Sequence, residues 1–156
     1  VLSTKGVMDA RDVAAIARLI WCYSYTAAFS AGNPTVRELE TICEAHPEIA
    51  NSLPIGRKLQ LFLPRSVSGF IYWLFAKQDP TLADTFCDAL ASGESLRTRE
   101  PVRVLRERLI ANKGARSKLP KRVLAALMIK AWNATRRGTP VGLLKFLPVE
   151  DFPTVE

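Results

Sequence analysis

The stretch PRSVSGFIYWLFAKQ, residues 64–78, decides how this chain folds. Pro64 suits the boundary or first turn of a helix, where a missing backbone N–H costs nothing. Apolar residues then mark one helical face: Val67, Phe70, Ile71, Leu74 and Phe75. Tyr72 and Trp73 make the opposite face apolar too. A helix that is apolar all round is normally buried at the centre of its domain. The segment therefore predicts a central helix whose aromatic side chains form core rather than a ligand site.

Helix signals surround this segment on both sides. Thr35 and Glu38 form a T-x-x-E capping box, and Asp79-Pro80 is a cap followed by a first-turn proline. Gly93 and Gly138 stand where helices are expected to end. With 156 residues, 48% of them hydrophobic, the chain is long enough to bury a core. We predict an all-α fold of about seven helices in one compact orthogonal bundle.

The two ends of the chain carry more specific expectations. Asp9 is predicted to cap the first helix, which would run to about Ala28. The helical domain is expected to cover residues 1–142. Three prolines between residues 139 and 156 forbid a long helix there, so residues 143–156 are predicted to form an extended tail. Within it, LLKFL (143–147) is compatible with a short strand or with an extended arm.

Several classes of protein are disfavoured by composition. The longest apolar run, VSGFIYWLFA (67–76), is about half the length that a membrane-spanning helix needs, so no membrane partner is expected. Three widely spaced cysteines and a single histidine make a metal site improbable, and no cofactor is expected. No phosphate-binding glycine loop or catalytic motif is present, so the chain alone does not resemble an enzyme. The free thiols fit a reducing, cytoplasmic setting.

Charge is distributed very unevenly along the chain. The formal net charge is +7, but residues 97–145 contain 14 basic and 2 acidic side chains. Residues 1–96 are slightly acidic overall, and the last eleven residues carry three acids and no base. Such asymmetry favours a polyanionic partner, most simply DNA. The alternative is a protein-interaction or dimerisation domain whose basic face meets an acidic protein.

The predicted helix over residues 120–137 concentrates this charge. Five of its residues recur at spacings of three and four and so form one stripe: Arg122, Ala126, Lys130, Asn133 and Arg137. No acid lies within a helical turn of them in the sequence. The candidate nucleic-acid-binding residues are Arg103, Arg106, Arg116, Lys118, Lys121, Arg122, Lys130, Asn133, Arg136 and Arg137. Asn133 suits either an adenine edge or an internal hydrogen bond. Trp132 suits either core packing or base stacking.

Several segments resemble the C-terminal helical region of ParB/sulfiredoxin-like proteins of bacteriophages and bacteria. They include HPEIANSL (46–53), PVRVLRERLIANK (101–113) and, most specifically, IKAWNATRRG (129–138). In that family a ParB-like nuclease domain precedes the helical region, and its Gly-Gln-His-Arg type motif has no counterpart here. The resemblance therefore implies association with DNA in a phage or mobile-element setting. It transfers no catalytic residue to this chain, and any nuclease activity would belong to the preceding domain.

Overall fold

The computed structural model describes residues 4–26, 29, 32–94 and 96–156, and they form helices without a strand. The elements in chain order are α1 (Thr4–Tyr25), α2 (Val36–Ala45), a 3₁₀ helix (Pro47–Ser52), α3 (Leu53–Lys58), α4 (Arg65–Gln78), α5 (Pro80–Ser92), α6 (Pro101–Gly114) and α7 (Lys121–Arg137). They pack into one bundle, which confirms the predicted all-α fold. LLKFL is not a strand, and the chain after α7 continues in extended segments and turns.

Helix α4 occupies the centre of the bundle, as its sequence predicts. It packs against α1, α3, α5, α7 and the 3₁₀ helix. Val67, Phe70 and Phe75 are completely buried because neighbours cover every side of the helix. Gly69 allows α1 to come close, since a Cβ atom at this position would collide with the side chain of Ile16. The apolar circumference of α4 thus determines where the other helices lie.

Most helix ends follow their sequence signals. The capping box of Thr35 and Glu38 is formed at the start of α2, and Asp79 accepts a hydrogen bond from the Leu82 N–H at the start of α5. Gly93 and Gly138 end α5 and α7 in the left-handed region, with φ of 70° and 67°, which glycine adopts without strain.

The predicted start of the first helix is wrong. The helix α1 already begins at Thr4, and Asp9 lies inside it, where its carboxylate pairs with Arg57 of α3. The Asp9 side chain could cap a helix, but in this fold it forms an ion pair with Arg57, 48 residues away in the sequence. The predicted end at Ala28 lies outside the described residues, and α1 ends at Tyr25.

Helix α7 joins the core through Trp132. Its indole is fully buried and stacks on Phe75 of α4, with ring centroids 4.2 Å apart, while Phe86 of α5 meets it edge-on. Offset and edge-on ring pairs add to the stabilisation from burial alone. Of the two roles open to Trp132, core packing is therefore the one that the fold adopts.

Replacing Trp73 with Ala should lower the free energy of unfolding by about 3–5 kcal/mol, the usual cost of truncating a buried large aromatic residue. Trp73 is only 6% exposed, and its Nε1 donates a hydrogen bond to Glu48 at 3.2 Å. Urea denaturation measures the change. Tyr25→Ala is the matched control, because Tyr25 is 71% exposed and should cost far less. Equal losses for both variants would contradict the central position of α4.

Candidate nucleic-acid interface

The basic stripe predicted on α7 contacts the C-terminal tail, residues 143–156. Lys130 Nζ lies 3.0 and 3.1 Å from the two carboxylate oxygens of Glu150 and donates to the Lys145 carbonyl at 2.7 Å. Arg137 forms an ion pair with Glu156, and Ala126 is completely buried. Two cations that have no acidic neighbour in the sequence are thus neutralised by acids about 20 residues further along the chain.

Asn133 anchors the same tail. Its Nδ2 donates to the Thr154 carbonyl at 2.9 Å, and its Oδ1 accepts from the Glu156 N–H at 2.9 Å. The adjacent Trp132 Nε1 donates to the Glu156 carbonyl at 3.0 Å. Asn133 is 8% exposed, and both ends of its amide are used inside the molecule. It therefore belongs to the tail anchor and does not form part of an exposed basic surface.

The remaining candidates on α7 also have contacts inside the protein. Arg136 lies 3.3 Å from Asp79, the residue that caps α5. The Arg122 guanidinium lies over the rings of Phe146 and Phe152 in the tail, at 4.9 and 5.7 Å from their centroids. Lys121 Nζ donates to the Ser66 hydroxyl at 3.0 Å, near the start of α4. The α7 cations thus hold the bundle and the tail together.

Helix α6 and its flanking loops carry basic residues that, unlike those of α7, mostly lack an acidic partner among the described residues. Arg103, Arg106, Ile110 and Lys113 recur at spacings of three and four and share one side of α6. Arg97 lies next to them, because Arg103 Nη1 contacts Leu96 and Thr98 on either side of it. Arg116 and Lys118 follow in the loop after α6. We call this set the α6 face: Arg97, Arg103, Arg106, Lys113, Arg116 and Lys118.

Acidic partners are scarce on the α6 face. Arg103 pairs with Glu107 at 3.2 Å across one turn of α6. The other five cations form no ion pair with any residue that the structure describes. Arg103, Arg106, Arg116 and Lys118 are among the candidates predicted from the sequence, whereas Arg97 and Lys113 are not. Arg97 and Lys113 could have been predicted as well, because both lie in the basic region 97–145.

Two arginines of the α6 face are held in position by backbone carbonyls. Arg106 Nε donates to the Leu90 carbonyl at 3.1 Å, and its guanidinium lies 5.2 Å from the Phe62 ring centroid. Arg103 Nη1 donates to the Leu96 carbonyl at 3.3 Å. Together with Gly93, Leu96 and Glu107 they line a cavity of about 360 Å³. An arginine fork fixed in this way is suited to phosphate, because it loses little freedom on binding.

Lys118 has a local structural role as well. Its ammonium group donates to the Ala115 carbonyl at 2.7 Å and also to the Lys113 carbonyl at the end of α6. A positive charge at this end of a helix is favourable, because the last carbonyl groups carry partial negative charge. Lys118 therefore fixes the loop that positions Arg116.

No protein-family model, curated protein or solved structure matches this chain. The resemblance to ParB/sulfiredoxin-like proteins accordingly stays a prediction from the residues quoted above. Among the helices of the described residues, none combines the length and the apolar character needed to cross a membrane.

Acidification should break the contacts that Glu150 makes with Lys130 and with the Leu147 N–H. The Leu147 N–H, followed by the Lys130 ammonium, holds the pKa of Glu150 below its usual value. A depressed folded-state pKa means that this contact is present above the ordinary glutamate pKa and is lost as pH falls through the folded-state value. The Leu147 amide donates to Glu150 at 2.7 Å, so its NMR chemical shift should follow the titration.

The expected midpoint of that NMR titration lies below the value of about 4.3 for an unperturbed glutamate. Glu150→Gln should abolish the transition and move the Leu147 resonance at neutral pH. Asp151→Asn is the matched control and should leave both unchanged, since Asp151 is exposed and makes no hydrogen bond or ion pair with the described residues. A midpoint at or above 4.3 would exclude the described tail contact.

Proposed function

We propose that this protein is a DNA-associated helical domain that binds nucleic-acid phosphates through the α6 face. The observation that carries the proposal is the contrast between two groups of cations. Lys130, Arg136 and Arg137 on α7 are paired with acids of the same chain. Five of the six cations on the α6 face have no such partner within the described part of the chain. Unpaired positive charge gathered on one surface is the electrostatic feature expected of a phosphate-binding site.

The dimensions of α6 support contacts with several phosphates. Its 14 residues extend over about 21 Å at 1.5 Å per residue. One strand of B-DNA advances about 3.4 Å per nucleotide along the axis, so α6 is as long as about six nucleotide steps. The flanking Arg97 and Arg116 lengthen the charged surface at both ends. Contacts of this kind position a protein on DNA but do not by themselves read its sequence.

The family resemblance also supports this proposal, because it depends on sequence segments and not on the distribution of charge. It implies association with DNA in a phage or mobile-element setting, within the cytoplasm of a bacterial or infected cell. The proposal assigns no catalytic role to this chain, because the residues quoted for the resemblance do not include the nuclease motif of the family.

A second candidate is an interaction or dimerisation domain that binds an acidic protein. One feature of the α6 face favours it. Ile110 lies on the same side of α6 as Arg106 and Lys113 and is 46% exposed. An exposed branched apolar side chain among cations is typical of a protein contact, where a small apolar centre is surrounded by charge. A second copy of this chain would meet like charges on this face, so an acidic partner fits better.

Changing Lys113 and Arg116 together to Ala should weaken binding to duplex DNA and make it less sensitive to salt. Each phosphate contact contributes about 0.9 to the slope of log affinity against log salt concentration. Loss of two contacts should therefore flatten the slope by nearly two. Fluorescence anisotropy with a labelled duplex at several salt concentrations measures this. Both residues are exposed, so the fold should be retained.

The matched control removes the same charge elsewhere. Arg11→Ala with Arg37→Ala changes two exposed cations on α1 and α2 and should leave the slope almost unaltered. Equal slopes for the two double variants would exclude the α6 face, and absence of binding at low salt would exclude the DNA proposal. Binding to an acidic protein that Ile110→Ser weakens equally at low and high salt would favour the second candidate.

A further inference from the structure

A second feature of the molecule lies away from the α6 face. A cavity of about 820 Å³ opens between α1, the segment before α2, and the start of α7. Its lining is mainly apolar and includes Ala14, Ala15, Leu19, Cys22, Phe29 and Leu39. Leu19, Cys22 and Phe29 are among the buried core residues. Ala14 and Ala15 precede Leu19 and Cys22 along α1, and their small side chains leave space for the cavity.

This cavity has the size and character of a small-molecule site. Ligand pockets usually measure about 300–1,000 Å³ and combine apolar walls with a few polar groups that orient the ligand. Here the polar groups are three cations, Arg18, Lys121 and Arg122. They come from α1 and from the first turn of α7, so two separate helices bring positive charge to one cavity.

Two of these cations, Arg18 and Lys121, form no ion pair within the part of the chain that the structure describes. The described lining residues include no Asp or Glu. Arg18 donates to the neutral side chain of Asn33, and Lys121 donates to the neutral hydroxyl of Ser66. An anion is therefore the charge that complements this cavity.

We propose that the cavity binds a free amphipathic anion with an apolar chain and one carboxylate or phosphate head group. The chain would lie against Leu19, Cys22 and Leu39, and the head group would meet Arg18 and Lys121. Apolar area favours the chain, while the cations select against neutral and positively charged head groups. This inference is independent of the DNA proposal, since it uses none of the residues of the α6 face.

The test is isothermal titration calorimetry of the whole chain with decanoate below its micelle concentration. Decanoate should bind, while decanol should bind about tenfold or more weakly and decyltrimethylammonium should not bind. Shortening the chain to octanoate removes two methylene groups and should weaken binding roughly tenfold or more, at about fourfold per buried methylene.

Two variants locate the site. Arg18→Gln with Lys121→Gln should weaken decanoate binding at least tenfold, because two charge-assisted contacts are lost. Ala15→Phe should reduce binding by filling the cavity, and its thermal unfolding is compared with that of the unchanged chain. Arg11→Gln with Arg37→Gln is the matched control and should bind decanoate normally. The double glutamine variant alters polar groups that form no ion pair within the described chain, so it tests the site even if Ala15→Phe does not fold.

Several outcomes would overturn the proposal. Equal affinity for decanoate and decanol would mean that the cations play no part. Undiminished binding by the Arg18 and Lys121 double variant would mean that decanoate binds elsewhere. Absence of decanoate binding would exclude the site. Binding to anionic phosphatidylglycerol vesicles without binding to monomeric decanoate would indicate a membrane surface as the ligand instead of a free amphiphile.

Discussion

The burial of α4 is the constraint on which the rest of the fold depends. A helix that is apolar on every side is stable in water only when other elements surround it completely. In this protein α1, α3, α5, α7 and the 3₁₀ helix supply that cover. Two close contacts set their distances, namely the approach of α1 over Gly69 and the stacking of Trp132 on Phe75. Each surrounding helix buries one side against α4 and leaves another side for other contacts.

The outward side of α7 is used to hold the tail. Ion pairs that water still reaches contribute little to stability, so the partly buried Lys130–Glu150 pair and the exposed Arg137–Glu156 pair do not by themselves explain why the tail stays in place. The stronger anchors are the internal hydrogen bonds of Trp132 and Asn133 and the burial of Leu144, which is 4% exposed. The ion pairs act mainly on the charge pattern, because they neutralise cations that would otherwise attract a polyanion.

The basic region therefore divides into two parts with different physical roles. On α7 the cations contact acids, aromatic rings and hydroxyl groups of the same chain. On the α6 face most of the cations have no acidic partner among the described residues, and Arg103 and Arg106 are held by the carbonyls of Leu96 and Leu90. The electrostatic attraction for a polyanion is strongest where charge is both unpaired and fixed. Positive charge at the start of α7 contributes instead to the large cavity beside α1.

The sequence by itself determined the helices, most of their ends and the central position of α4. These features depend on local periodicity, caps and glycine conformation, which residues a few positions apart decide. The tertiary structure alone decided which cations remain unpaired. Arg136 and Lys130 meet acids 57 and 20 residues away, and Asp9 meets Arg57 instead of capping a helix. The partner of a charge depends on how distant segments pack, and the spacing of residues along the chain does not encode that.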